Sequence, residues 1–115
     1  MDSFVRDNKT WLYPNGNAPG WGGRMWLYFP DADYRVARDA VARDIEAASC
    51  KQVLLAGFSN GASFAAKLYC QGETFGGKLA AVVVDDPVSD AGTRNCSPAR
   101  TVPVTLYWTG ALEGN

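Results

Sequence analysis

The chain contains no histidine. That absence excludes a self-contained Ser-His-Asp triad, a Cys-His pair and any His-ligated zinc site. No apolar run approaches the roughly 20 residues that a membrane-spanning helix needs. Charge of one sign is also missing: eleven basic and twelve acidic residues leave a net charge of −1, which gives no basic footprint for nucleic acid. The three cysteines, Cys50, Cys70 and Cys96, lack C-x-x-C spacing, so they form no metal motif. They read as one disulfide with a free thiol, or as three buried thiols, the default for a cytosolic protein. No G-K-[ST] and no phosphate-binding glycine pattern occurs, and nothing calls for a cofactor or a metal. The start, Met1-Asp2-Ser3-Phe4-Val5-Arg6-Asp7, has neither a positive n-region nor an apolar h-region, so the chain as written reads as cytoplasmic.

What is present is apolar and aromatic. Hydrophobic residues make up 47% of 115 positions, enough for one domain with a true core and too many for a disordered chain. Glycine and proline divide the chain. Lys9–Tyr13 is a short β-prone run, and the Gly-rich stretch Asn15–Gly23 reads as loop. Met25–Phe29 is a strand or an aromatic loop, five residues being too few for periodicity to decide. Asp31–Ser49 predicts a helix, with Asp31 as N-cap and Ala37, Val41, Ile45 and Ala48 on its apolar stripe. Arg35, Arg38 and Arg43 with Asp39 and Asp44 read as its solvated side.

Val53–Ala56 is continuously apolar, the pattern of a strand buried on both faces. A second helix runs from Ser59 to about Cys70, and Gly72, Gly76 and Gly77 break it. Leu79–Val84 predicts another buried strand, closed by Asp85-Asp86-Pro87. A loop from Pro87 to Arg100 leads to a last strand, Val102–Trp108. Strands alternating with helices predict an α/β fold with a small, mostly parallel sheet of about four strands, in a single domain spanning 1–115.

Gly57-Phe58-Ser59-Asn60-Gly61 fits G-x-S-x-G at the point where a strand passes into a helix, the setting of a nucleophile elbow. The sharp turn exposes the Ser59 hydroxyl and predicts φ > 0 at Ser59. Gly57 and Gly61 are expected to flank it because a Cβ at either would collide with the turn. The helix N-terminus and the Asn60 N–H can face a developing oxyanion. The bland alternative is an ordinary turn with Ser59 as N-cap. Trp21, Trp26, Tyr28 and Phe29 can stack on a sugar or an aromatic acyl group, or serve as core or interface.

Gly57–Ala62, with Leu68-Tyr69-Cys70 beyond it, resembles the elbow region of α/β-hydrolase esterases of the polyhydroxyalkanoate depolymerase and feruloyl or acetylxylan esterase type. Tyr13–Gly16 with Trp21-Gly22-Gly23 is similar to the end of strand 4 in that family, Leu79–Val84 to its strand 6, and Asn95–Arg100 with Pro103-Val104 to the loop into its strand 7. The resemblance implies a partial hydrolase core, truncated at both ends, from a largely secreted family. It implies a Cys70–Cys96 bridge with Cys50 free, and Ser59 as nucleophile. It places the acid at Glu113 in Thr109-Gly110-Ala111-Leu112-Glu113; an acid after strand 6 would instead be Asp85 or Asp86.

The departures are the missing base and half the oxyanion hole, so little or no activity is expected of this chain alone. The alternative is a non-catalytic binding or interaction module on a degenerate hydrolase fold. In the hydrolase strand order, crossovers advancing one way leave one sheet face without helices. That predicts a homodimer, through this face or by strand exchange, with Trp11, Trp26 and Trp108 as interface aromatics.

Overall fold

The computed structural model describes residues 2–6, 9–20, 23–87, 93 and 95–108. The chain divides into two compact units, residues 1–50 and 51–115.

The first unit opens with an antiparallel pair, β1 (Asp2–Arg6) and β2 (Lys9–Tyr13), with Phe4 opposite Trp11. Cross-strand aromatics hold it: the Phe4 ring lies 6.2 Å from Trp11 and 5.7 Å from Tyr13, within 20° of parallel to both. The stretch expected as loop contains instead a second antiparallel pair, β3 (Ala18–Gly20) and β4 (Gly23–Met25). Two side chains stand in for turn chemistry there. Asn17 accepts from the Leu27 N–H and donates Nδ2 to the Leu27 carbonyl at 3.0 Å, and Arg24 Nε donates to the Gly16 carbonyl at 2.9 Å. Residues 26–29 form no strand, so only Met25 of the Met25–Phe29 run is extended in a sheet.

α1 (Asp31–Ala47) buries Tyr34, Ala37, Val41 and Ile45 along one stripe. Its N-cap is Pro30, not Asp31. The extended proline starts the helix one residue early, its carbonyl taking the Tyr34 N–H at 3.1 Å. Asp31 and Asp33 therefore act on the first turn through the helix dipole rather than as caps.

The second unit is a parallel three-stranded sheet in the order β5 (Val53–Phe58), β6 (Leu79–Asp85), β7 (Val104–Tyr107). Helix α2 (Asn60–Cys70) connects β5 to β6 and packs on both. The α/β reading holds at this level. The sheet has three parallel strands, not four, because the β2 run expected as a fourth pairs with β1.

β5 is not buried on both faces. Val53 is buried, whereas Leu54 is 59% and Phe58 62% exposed. Both faces of the strand are apolar in sequence, so its period-two burial does not show there. Phe64, Ala65 and Leu68 of α2 with Leu79, Val82 and Val84 of β6 are the buried apolar side chains around the helix–sheet contact.

Both helices end in the same way. At α1, Ser49 (φ 55°) donates to Glu46, and Cys50 to Ile45; at α2, Gly72 (φ 91°) donates to Tyr69, and Glu73 to Leu68. Each is a Schellman close, which requires a left-handed residue just past the helix. Cys70, the last residue of α2, forms a disulfide with Cys96 across 26 positions, Cα to Cα 4.2 Å, and its carbonyl takes the Ser97 N–H at 2.9 Å. Tyr69 Oη accepts from Val102 N–H, and Arg100 reaches the carbonyls of Leu79 and Gly77. These bonds tie the segment before β7 to the end of α2 and the start of β6.

Two stability outcomes are expected. Replacing Cys70 and Cys96 together by Ser lowers the urea-unfolding free energy by about 3–4 kcal/mol, the closure entropy of a loop of this length. Ser49→Gly raises it by about 0.5–1 kcal/mol and Gly72→Ala lowers it by about 1 kcal/mol, because only glycine sits without strain at these left-handed positions.

Candidate functional site

The site is built where β5 runs into α2. The chain reverses between Phe58 and Asn60, and Ser59 takes φ 53°, ψ −114°. This lies outside the three regions open to L-residues. Ser59 occupies the N-cap position of α2, yet its side chain makes no capping hydrogen bond. The backbone instead fixes it from both sides. Its N–H donates to the Asp85 carbonyl at 2.8 Å, and its own carbonyl accepts the Ser63 N–H at 3.0 Å and the Ser63 hydroxyl at 3.3 Å. The positive φ is the one expected at Ser59, and the side-chain hydrogen bond of an ordinary N-cap is not made.

Gly57 is required by contact. A Cβ there would stand 2.6 Å from the Ala62 nitrogen and overlap the Gly61 carbonyl, all backbone. The same reason does not extend to Gly61: a Cβ at that position would meet nothing within 4 Å outside its own helix. The close approach is one-sided, strand glycine against helix backbone. Asn60 is the first residue of α2, so its N–H lies in the turn whose amides point out of the helix toward the positive end of the dipole.

The two acidic candidates after β6 adjoin this turn. Asp85 ends β6 opposite Phe58, half-buried, and its carbonyl is the acceptor for Ser59. Asp86 follows with φ 52°, is 2% exposed, and donates its N–H to the Tyr107 carbonyl at 2.9 Å. Glu113 lies outside the described residues, as does Trp21. Of the other aromatics, Tyr28 and Phe29 pack ring to ring at 4.9 Å. Two features of the site had no sequence signal beyond their position: the Asp85 carbonyl as the acceptor for the Ser59 N–H, and the Ser63 hydroxyl on the Ser59 carbonyl.

Among the described residues no group of three or more cysteine or acidic side chains is placed to hold a metal, and no helix is long and apolar enough to cross a membrane. Comparison with protein-family models, curated proteins and solved structures finds no match.

The strain at Ser59 has a measurable sign. Ser59→Gly is expected to stabilise the chain by about 1 kcal/mol, the relief of a 1–3 kcal/mol backbone cost less the glycine entropy. Ser59→Ala gives no such gain. Gly57→Ala costs about 3 kcal/mol, since backbone atoms cannot give way. Equilibrium unfolding of the three variants reads all of this.

Proposed function

We propose that this chain carries the nucleophile elbow of a serine carboxylic-ester hydrolase of the α/β-hydrolase type, with Ser59 as the nucleophile and the Asn60 N–H as an oxyanion donor. The observation that carries this reading is the backbone of Ser59: strained, uncapped, and set between a parallel strand and a helix. An N-cap serine would gain about 1 kcal/mol from its cap. Here that gain is forgone and strain is added, which is the pattern of a residue held for exposure of its hydroxyl. The order β5-β6-β7 with α2 on one face agrees with the corresponding part of a hydrolase core, and the acid is to be sought among Asp85, Asp86 and Glu113. With no histidine in the chain, Ser59 has no imidazole of its own to take its proton, and hydrolysis by the chain alone is weak or nil.

Fluorophosphonate labelling tests the reading. An adduct at Ser59, lost in Ser59→Ala and located by peptide mass, is expected. No adduct under conditions that label a known serine esterase would instead favour a non-catalytic binding module on the same fold.

A second part of the proposal is self-association. On the sheet face opposite α2, Leu54, Phe58 and Tyr107 are each more than half exposed. Trp108 and Trp11 are 53% and 40% exposed, and Trp26 is half-buried. A second copy of the chain on the sheet face of Leu54, Phe58 and Tyr107 would take that apolar surface out of water. Sedimentation at micromolar concentration is expected to give twice the 12.4 kDa of one chain. A clean monomer, unaffected by Phe58→Ser, would remove this part of the proposal.

A further inference from the structure

We propose that the carboxyl end of the three-stranded sheet binds an organic ammonium ion in a slot between Phe58 and Tyr107, with Asp85 between them as its counter-charge. This binding needs no nucleophile and stands apart from the reading of Ser59.

Strand register builds the slot. Phe58, the last residue of β5, pairs with Asp85 at the end of β6, and Asp85 pairs with Tyr107 at the end of β7. The three residues therefore form one row across the sheet. The row before it, Gly57, Val84 and Leu106, lies on the side of α2, because a Cβ on Gly57 would run into the α2 backbone. Alternation puts Phe58, Asp85 and Tyr107 on the opposite face. Phe58 is 62% and Tyr107 58% exposed, and Asp85 is half-buried. Backbone hydrogen bonds hold the row on both sides of β6: the Ser59 N–H on the Asp85 carbonyl at 2.8 Å, and the Asp86 N–H on the Tyr107 carbonyl at 2.9 Å.

Charge and width select the occupant. Among the described residues no ion pair engages Asp85, so a carboxylate without a counter-ion stands between two exposed aromatic side chains. That combination suits a cation with an apolar coat, since an aromatic ring attracts a positive charge within about 6 Å of its centroid. Side chains stand roughly perpendicular to a sheet and neighbouring strands lie about 4.8 Å apart, so two strand spacings separate the rings by about 9–10 Å. A cation centred between them is about 5 Å from each and within reach of both. A flat aromatic ligand in the same gap would leave one wall out of contact, because van der Waals contact needs only about 3.5–4 Å on each side. A rounded trimethylammonium group fills the space and brings its charge to Asp85.

Choline and 3,3-dimethylbutan-1-ol form the test pair: they share shape and hydroxyl and differ in charge. Binding is read from backbone amide shifts during titration of the isotope-labelled chain. A second copy on the same face would compete for the slot. The titration is therefore run on the native chain and on Leu54→Ser, which weakens that contact from the far end of β5 and leaves the row intact. Choline is expected to bind in the millimolar range, with the largest shifts at Phe58, Asp85 and Tyr107, and the alcohol about tenfold or more weaker. Phe58→Leu and Tyr107→Leu are each expected to weaken choline by about 2–5-fold, the loss of one exposed cation–π contact. Asp85→Asn is expected to weaken it by a similar factor and to leave the alcohol unchanged. Unchanged far-UV dichroism establishes that the variants are folded. Equal affinity for the two compounds shows an apolar face without a cation site and overturns the proposal. Choline shifts centred elsewhere, or no choline binding at millimolar concentration in either the native chain or Leu54→Ser, also overturn it. Failure of Ser59 to take fluorophosphonate leaves it standing.

Discussion

The second unit turns on one close approach, the α-carbon of Gly57 against the backbone of Gly61 and Ala62. Only a residue without a side chain lets the end of β5 come this near the first turn of α2. Once it does, the chain has two residues in which to reverse, and the cost falls on Ser59 as a positive φ. A strained residue persists only where its surroundings over-determine it. Here they do so with three hydrogen bonds, one from Ser59 to the neighbouring strand and two from Ser63 into the Ser59 carbonyl. The parallel register of β5 with β6 sets the first of these, since Phe58 pairs with Asp85 and places its carbonyl beside the next residue along.

The far end of α2 is held by different means. A Schellman close at Gly72, a disulfide at Cys70, the Ser97 N–H on the Cys70 carbonyl and the Tyr69 hydroxyl under Val102 all act within the last turn. The helix is short, eleven residues, and pinned at both ends. Between the pins, Ala62, Ala65 and Leu68 are almost fully buried, so the helix has little freedom to rotate and carry Ser59 out of place. Its dipole is then fixed with the positive end at the serine.

How much of this was legible in the sequence follows from which forces are local. The strained turn at Ser59 was legible because its cause is local: a G-x-S-x-G run, a strand pattern before it and a helix pattern after it. Helices α1 and α2 were legible from their apolar stripes and their glycine or turn endings, apart from the N-cap of α1, where Pro30 outcompeted Asp31. The Cys70–Cys96 pairing was legible only through resemblance, because spacing alone left the three cysteines open. The strand count failed because pairing is non-local. Lys9–Tyr13 has the right composition for a parallel strand, yet a preceding run, Asp2–Arg6, offers an antiparallel partner joined to it by a very short connection. The β3–β4 pair hid behind glycines that read as loop, and its stability rests on the Asn17 and Arg24 side chains, which no periodicity reveals. Gly61 shows the limit of motif reasoning: the pattern treats both glycines alike, but the contact constrains only the first.

The energetics bear on the choice between a working hydrolase element and a binding module. An N-cap at Ser59 is worth about 1 kcal/mol, and a non-glycine residue in this backbone region costs about 1–3 kcal/mol. Together they put the observed geometry about 2–4 kcal/mol above a relaxed, capped turn, against a net stability of about 5–15 kcal/mol for a typical domain. A sheet edge presents ligands equally well from an unstrained turn, and a glycine at position 59 would relieve the backbone outright. What the strained serine adds is a hydroxyl that makes no capping hydrogen bond, at the positive end of a dipole. On the proposed reading those properties serve bond-making at Oγ, and the absence of histidine then bears on the completeness of the site.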